Sequence, residues 1–130
     1  MTRWVVGIFA QKMLQGDQPI INGNGRQTRD FIYVDDVVEA NVAALGKTAH
    51  GIYNVGTGKE TSINELFGIL AGLTNPSIRE VHGPAKKGEQ LRISLNSTRL
   101  HRELDWEPKV SLKDGLARTV EYYRRTDRLR

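Results

Sequence analysis

Three groups of residues in this 130-residue chain are chemically equipped to build a site. The first is basic. Arg26 and Arg29 flank Gln27 and Thr28 just after an Asn22-Gly23-Asn24-Gly25 stretch, and a guanidinium there can fork onto phosphate oxygens. Lys86 and Lys87 sit in a Gly/Pro loop with Glu89 close behind. A cation for phosphate and an acid for sugar hydroxyls make a sensible nucleotide-binding pair, although composition alone favours solvated surface for both clusters. The second group is Gly56-Thr57-Gly58, set between an apolar run and a helix-forming run. Glycines let a backbone approach an anion and a helix N-terminus attracts one. The third glycine of a dinucleotide fingerprint is absent, since Thr61 holds that place, and Tyr53 stands where a P-loop needs its first glycine. A tight strand-to-helix turn is therefore favoured over an NAD or ATP site. The third group is the adjacent pair Asp35 and Asp36. Paired carboxylates can do acid–base work or bind a metal, but neighbours in sequence seldom point into one site, and helix capping explains both.

Other chemistries are excluded by what the sequence lacks. It has no cysteine, so no disulfide, thiolate nucleophile or Cys-ligated metal is possible. His50, His82 and His101 show no metal-ligand spacing, and no metal is expected. The net charge is +4, from 19 Lys and Arg against 15 Asp and Glu. Five arginines fall between Arg118 and Arg130, where cations suit the negative end of a helix; no aromatic-plus-basic pattern of a nucleic-acid module accompanies them. No apolar run approaches the ~18 residues of a membrane span. The start, Met-Thr-Arg-Trp-Val-Val, lacks a secretory signal, so a cytoplasmic globular protein is expected, touching neither nucleic acid nor membrane.

Helices alternating with short apolar strands must position these groups, which suggests α/β or α+β architecture; the fold expected is α/β, with about five helices and one domain over residues 1–130. Val5, Ile8, Phe9 and Met13 share a helical face that Gly16 ends. Strands are predicted at Pro19–Ile21, Asp30–Val34, Ile52–Val55, 78–82 and Leu91–Leu95, with a tight turn at Asn22–Gly25 and a loop at Gly83–Gly88. Asp35 and Asp36 are predicted to cap a helix, with Glu39 in capping-box spacing, and Val38, Val42 and Leu45 line one face of it. Ser62 and Glu65 are predicted to cap a helix whose apolar stripe is Ile63, Leu66, Phe67 and Leu70 and that stops at Asn75-Pro76. Asn96 or Ser97 caps a short helix through Leu104. A last helix from Ser111 buries Leu112, Leu116, Val120 and Tyr123.

Longer motifs are more specific. The run from Asn22 to Val37 (Asn-Gly-Asn-Gly-Arg-Gln-Thr-Arg-Asp-Phe-Ile-Tyr-Val-Asp-Asp-Val) resembles the carboxy-terminal half of the NAD-dependent epimerase/dehydratase family, the UDP-glucose 4-epimerase-like extended short-chain dehydrogenases. Tyr53–Gly58 followed by Thr61-Ser62, then Trp106-Glu107-Pro108 with Ser111–Leu116, are similar to the family's next signatures, in family order. The resemblance runs from about Val5 to Arg125. It implies the smaller part that grips a nucleotide-sugar. An N-terminal Rossmann half would hold NAD and supply a Tyr-x-x-x-Lys pair, and none of Tyr33, Tyr53, Tyr122 and Tyr123 has Lys four residues on.

By resemblance, Arg29 contacts the nucleotide diphosphate. Ile21, Asn22 and Gly23 border the base, with Asn22 in place of a common aromatic. Lys86 takes a phosphate arginine's role and Glu89 that of a ribose-binding acid. Asn96 replaces the Asp that usually opens the next helix. The expected function is a nucleotide-sugar-binding portion of an NAD-dependent epimerase or dehydratase. By itself it would carry no catalytic residue, bind no NAD and be inactive. The apolar surface that the Rossmann half covers in the family would then favour a homo-oligomer. The alternatives are a self-associating interaction module and one subunit of a split enzyme whose partner chain is the Rossmann domain.

Overall fold

The computed structural model describes residues 4–46 and 49–127. In chain order the elements are α1 (Val5–Gln15), β1 (Ile21–Asn22), β2 (Thr28–Arg29), α2 (Val34–Ala44), β3 (Thr61–Ser62), α3 (Ile63–Thr74), β4 (His82–Gly83), α4 (Thr98–Leu104) and α5 (Leu112–Asp127). Five helices with two-residue strands make a small mixed α/β fold, as the alternation predicts. β1 pairs with β4 and β2 with β3. The chain forms two compact units. One combines the residues up to Gln27, Ser62–Leu91 and those from Leu116 on; the other combines Thr28–Thr61 and Arg92–Gly115.

The first unit is built on amphipathic helices. α1 buries Phe9, Ala10 and Met13. It ends because Gly16 adopts φ 80°, which lets Asp17 N–H reach back to Lys12 O at 2.8 Å. α3 begins at Ser62, whose Oγ accepts from Glu65 N–H at 3.1 Å, and buries Ile63, Leu66, Phe67 and Leu70 as its spacing predicts. It stops at Asn75, where the backbone turns extended before Pro76. Phe9 and Phe67 meet edge to face with centroids 5.7 Å apart, joining α1 to α3. Leu116 and Val120 of α5 are buried. Gly7 admits α5 closely, for a Cβ there would lie 2.7 Å from Tyr123 Oη. Arg124 and Arg125 ion-pair with Glu121, and Arg124 also donates to Leu73 O. That accounts for part of the basic terminal cluster; Arg128 and Arg130 lie outside the described residues. The predicted strands at 19–21 and 78–82 contract to β1 and β4, which run parallel in the register Ile21↔His82 and Asn22↔Gly83, so Gly83 belongs to a strand and not to the loop.

In the second unit a small apolar cluster of Ala40, Leu100 and Trp106, flanked by Ile32, Tyr53, Val55 and Leu104, joins α2 to α4. Two sequence expectations fail here. Residues 30–33 and 52–55 make no ladder, and neither do 91–95 along the chain. β-branched and aromatic content favours an extended backbone, but a strand needs a neighbour, and in these stretches side chains anchor the chain instead. Arg99, for example, donates to His50 O and Ile52 O and lies over the Tyr53 ring. Second, Asp35 and Asp36 do not cap α2. Its N-cap is Tyr33, without a side-chain cap bond, and both acids lie within the first turn. Glu39 pairs with Lys109 at 2.9 Å instead of closing a capping box. Val38, Val42 and Leu45 share one face of α2, as their spacing predicts, and that face is the outer one; Val42 is 62% exposed and Leu45 87%. The inner face is Asp36 and Ala40, one turn apart.

Candidate functional site

The Asn22–Gly25 turn shapes one edge of the first unit. Gly23 and Gly25 take φ of 64° and 71°, conformations that side chains resist. Gly25 has a second constraint, because the Asn64 amide fills the space a Cβ would need. Three polar contacts strap the turn to its surroundings: Asn64 N–H to Gly25 O at 3.0 Å, Asn64 Nδ2 to Asn24 O at 3.0 Å, and Gly23 N–H to Gly83 O at 3.0 Å. His82 Nδ1 lies 2.8 Å from Gly23 O and its Nε2 3.2 Å from Glu80 Oε2. Both neighbours are acceptors, so the imidazolium satisfies both; the Gly23 carbonyl, then Glu80, raise the His82 pKa above its ordinary value.

Beside this turn runs a second one. Glu89 N–H donates to Lys86 O at 3.2 Å, with Gly88 at φ 78° as the third residue of the turn. Lys86 and Glu89 thus stand at the two ends of one four-residue turn, and Ala85 Cβ approaches within 3.2 Å of where a Cβ on Gly23 would sit. Gln27 links the two turns. It is 7% exposed, and its Nε2 donates to Asn22 O at 2.9 Å and faces Glu89 Oε2 at 3.5 Å. The first unit therefore gathers Asn22, Gly23, Lys86 and Glu89, four of the five residues singled out for substrate. The fifth, Arg29, belongs to the second unit, where its Nη1 donates to Thr28 O at 2.7 Å.

Two aspartates of the second unit serve backbone amides. Asp30 accepts from Thr57 N–H at 3.0 Å, Gly58 N–H at 2.9 Å and Leu95 N–H at 3.1 Å, and from the Thr57 hydroxyl. Burial pushes its carboxyl up, but these donors outweigh burial and hold it below the ordinary value. Asp36 is 1% exposed and accepts from Lys109 N–H at 2.9 Å and Val110 N–H at 3.1 Å, while Trp106 Nε1 donates to Asp36 O at 2.9 Å. It is a buried brace for the Trp-Glu-Pro segment. Glu60 takes a two-pronged contact from Arg92 and a hydroxyl from Thr28, and this first partner, then the second, brings its pKa down to about 2. A cleft of about 640 Å³ lies beside the Gly-Thr-Gly turn. Polar groups on its wall are already engaged: Ser97 Oγ with both polar groups of Gly56, and Asn96 Oδ1 with Thr98 N–H.

These residues do not fit the pyrophosphate of a dinucleotide. The N–H groups of Thr57 and Gly58 point at Asp30. The first three N–H groups of α3 are taken by Gln27 O, Gly25 O and Ser62 Oγ. The tight-turn reading of Gly56-Thr57-Gly58 is the one the geometry supports. Among the described residues no cluster of three or more His, Asp or Glu could hold a metal, and no helix is long and apolar enough to cross a membrane.

Sequence reasoning passed over three of these groups. Gln27 was legible only as the residue between two arginines. Asp30 was hidden inside a predicted strand, although a turn with two glycines needs an acceptor from somewhere. Glu60–Arg92 offered no signal beyond opposite charge, for 32 residues separate them.

Comparison with known proteins decides the family. The family model described as GDP-mannose 4,6 dehydratase matches residues 2–119. The chain belongs to this family. It is 44% identical over 122 residues to a UDP-glucose 4-epimerase from Mycolicibacterium smegmatis, covering 92% of this chain and 39% of that protein. It is 42% identical over 124 residues to a putative UDP-glucose 4-epimerase from Methanocaldococcus jannaschii, covering 95% of this chain and 40% of that protein. The crystal structure of a Thermotoga maritima UDP-glucose 4-epimerase with UDP-glucose superposes with a TM-score of 0.91 at 44% identity, covering 95% of this chain and 40% of that one. The chain thus spans about 40% of the length of the family members it matches.

Proposed function

We propose that this chain is the nucleotide-sugar-binding portion of an NAD-dependent sugar epimerase or dehydratase, with no turnover by itself. The observation that carries the reading is the pair of adjoining turns in the first unit. They hold Lys86 and Glu89 at the ends of one turn and the Asn22–Gly23 backbone beside it. Lys86 supplies charge for a diphosphate and Glu89 accepts from ribose hydroxyls. Asn22 and Gly23 border the base; in the second unit, Arg29 carries a planar guanidinium of the kind that forks onto phosphate. Lys86 cannot form the bidentate contact an arginine would, so the first unit meets a diphosphate with a point charge. The sequence contains no Tyr-x-x-x-Lys pair, which supports assigning catalysis and NAD binding to the parent family's other half. The compartment is the cytoplasm.

The test is a two-dimensional amide spectrum titrated with UDP and UDP-glucose. Shifts confined to Asn22–Arg29 and Lys86–Glu89 are expected. A dispersed spectrum that ignores both ligands overturns the reading. Product analysis with NAD and UDP-glucose should show no conversion.

A second reading rests on α2. Val34, Val38, Val42 and Leu45 form an exposed apolar stripe at helical spacing, and Ile52 in the same unit is also exposed. That face suits another polypeptide, either a second copy of this chain or a Rossmann-domain partner chain. Sedimentation across a concentration series tests it, and a monomer at every concentration, with and without a Rossmann-domain partner, removes it.

A further inference from the structure

The Asn22–Gly25 turn holds two Asn-Gly dipeptides in succession. An asparagine followed by glycine can close a succinimide ring, because the glycine nitrogen attacks the side-chain amide carbon and no Cβ stands in its way. Closure needs the side chain folded back over the next peptide and that peptide's N–H at liberty. The two asparagines differ in both respects. Asn22 lies in β1, and Gly23 N–H is held by Gly83 O at 3.0 Å. Asn24 is exposed outside the ladder, and its Oδ1 accepts from Arg26 N–H at 3.0 Å. That bond folds the amide back over the Gly25 nitrogen. It also sets a backbone donor on the oxygen that gains negative charge as the ring closes. Among the described residues no comparable bond holds Gly25 N–H.

The same fold-back recurs at two more asparagines, and the residue that follows separates the three. Asn75 Oδ1 accepts from Ser77 N–H at 3.2 Å, but Pro76 between them has no N–H to attack with. Asn96 Oδ1 accepts from Thr98 N–H at 2.9 Å, but Ser97 between them carries a Cβ, and its Oγ is tied to both polar groups of Gly56. Of the three, Asn24 alone combines the fold-back with a glycine.

We propose that Asn24 is a self-modification site, an intramolecular deamidation centre that ages the Asn22–Gly25 turn. Gly25 N gives up its proton and bonds to Asn24 Cγ. The Cγ–Nδ2 bond breaks, and ammonia leaves with that proton. Water then opens the ring, at Cγ to give aspartate or at the Asn24 backbone carbonyl to give isoaspartate. Either product adds a negative charge, and isoaspartate makes the main chain one atom longer. Asn64 Nδ2 donates to Asn24 O and Asn64 N–H to Gly25 O, so the longer chain breaks these straps. The inference is independent of the nucleotide-sugar reading.

The test is incubation of the chain in mildly alkaline buffer, one sample folded and one in urea. Peptide fragment masses separate Asn22 from Asn24, and isoaspartyl methyltransferase labelling reports the isoaspartate. In the folded chain Asn24 should convert at least about tenfold faster than Asn22 or Asn96, and Asn75 should not convert. Urea removes the β1–β4 pairing and the fold-back together, so there Asn22 and Asn24 should convert at similar rates. Amide spectra of the aged folded chain should show split Gly25 and Asn64 resonances. Asn24→Gln, which would need a larger ring, should abolish both the conversion at that position and the splitting. Conversion of Asn22 as fast as Asn24 in the folded chain overturns the proposal, as does an Asn24 that converts only in urea. A preference for Asn24 that persists unchanged in urea belongs to the local sequence and overturns it too.

Discussion

Helices α3 and α2 carry the same sequence signature with opposite outcomes. Both have an apolar stripe at helical spacing. In α3 the stripe is the core of the first unit, and every member named from the sequence is buried. In α2 the stripe faces out, while Asp36 and Ala40 face in. Amphipathicity therefore says that a helix has an apolar face; it does not say that the face is covered within this chain. The two units differ in the same sense. The first is closed by hydrophobic packing of α1, α3 and α5. The second has a cluster built on three fully buried residues, Ala40, Leu100 and Trp106, and relies on Asp30 and Asp36 to hold its loops through backbone amides.

That contrast has measurable consequences. The largest effect is expected from Trp106→Ala, which removes the biggest member of the small cluster and the indole donor to Asp36 O. The cost should be about 3–5 kcal/mol, enough to open the second unit. Amide hydrogen exchange should then show lost protection in α2 and α4 while α1 and α3 keep theirs. Equal loss in both units would mean that they fold as one. Asp36→Asn comes next. It keeps shape but turns one acceptor oxygen into a donor facing the amides of Lys109 and Val110, for about 1–3 kcal/mol, read from urea midpoints.

Acid should discriminate the units more gently. Asp30 and Glu60, both in the second unit, have folded pKa values below their unfolded ones. Such a group contributes stability that is present above the unfolded value and lost as pH falls through the folded one. Urea midpoints should therefore fall between about pH 4.5 and pH 2, with the protection of α2 and α4 falling first. Glu60→Gln should flatten the lower part of that fall. Because the Glu60–Arg92 pair is exposed, the change in midpoint should be small. Smallest of all, Val42→Ser on the open face should alter stability by no more than about 0.5 kcal/mol, while it weakens any association seen in sedimentation. A large loss of stability would show that α2 is covered in solution.

Part of this molecule was readable from residues alone. α1 could be read to its ending at Gly16, and α3 from its Ser62 cap to its Pro76 stop, because caps, glycines and prolines act on the bonds next to them. The Asn22–Gly25 turn was readable for the same reason. The residues gathered at the candidate site were legible only by resemblance, apart from the suggestive pairing of Lys86 with Glu89. Gln27 was not legible as a linker of two turns, since nothing local marks an amide whose acceptors lie 5 and 62 positions away.

The sequence by itself determined the family, the five helices, the positive-φ turns and the absence of cysteine chemistry, all properties of short stretches or of composition. Only the tertiary structure decided which apolar face was buried, and that extended segments such as Ile52–Val55 gained no ladder partner. It also decided that Asp30 and Asp36 were spent on distant backbone amides and not on caps. The physical reason is the same throughout. Burial, strand pairing and the satisfaction of a carboxylate depend on what arrives from elsewhere in the chain, and local preference carries no record of it.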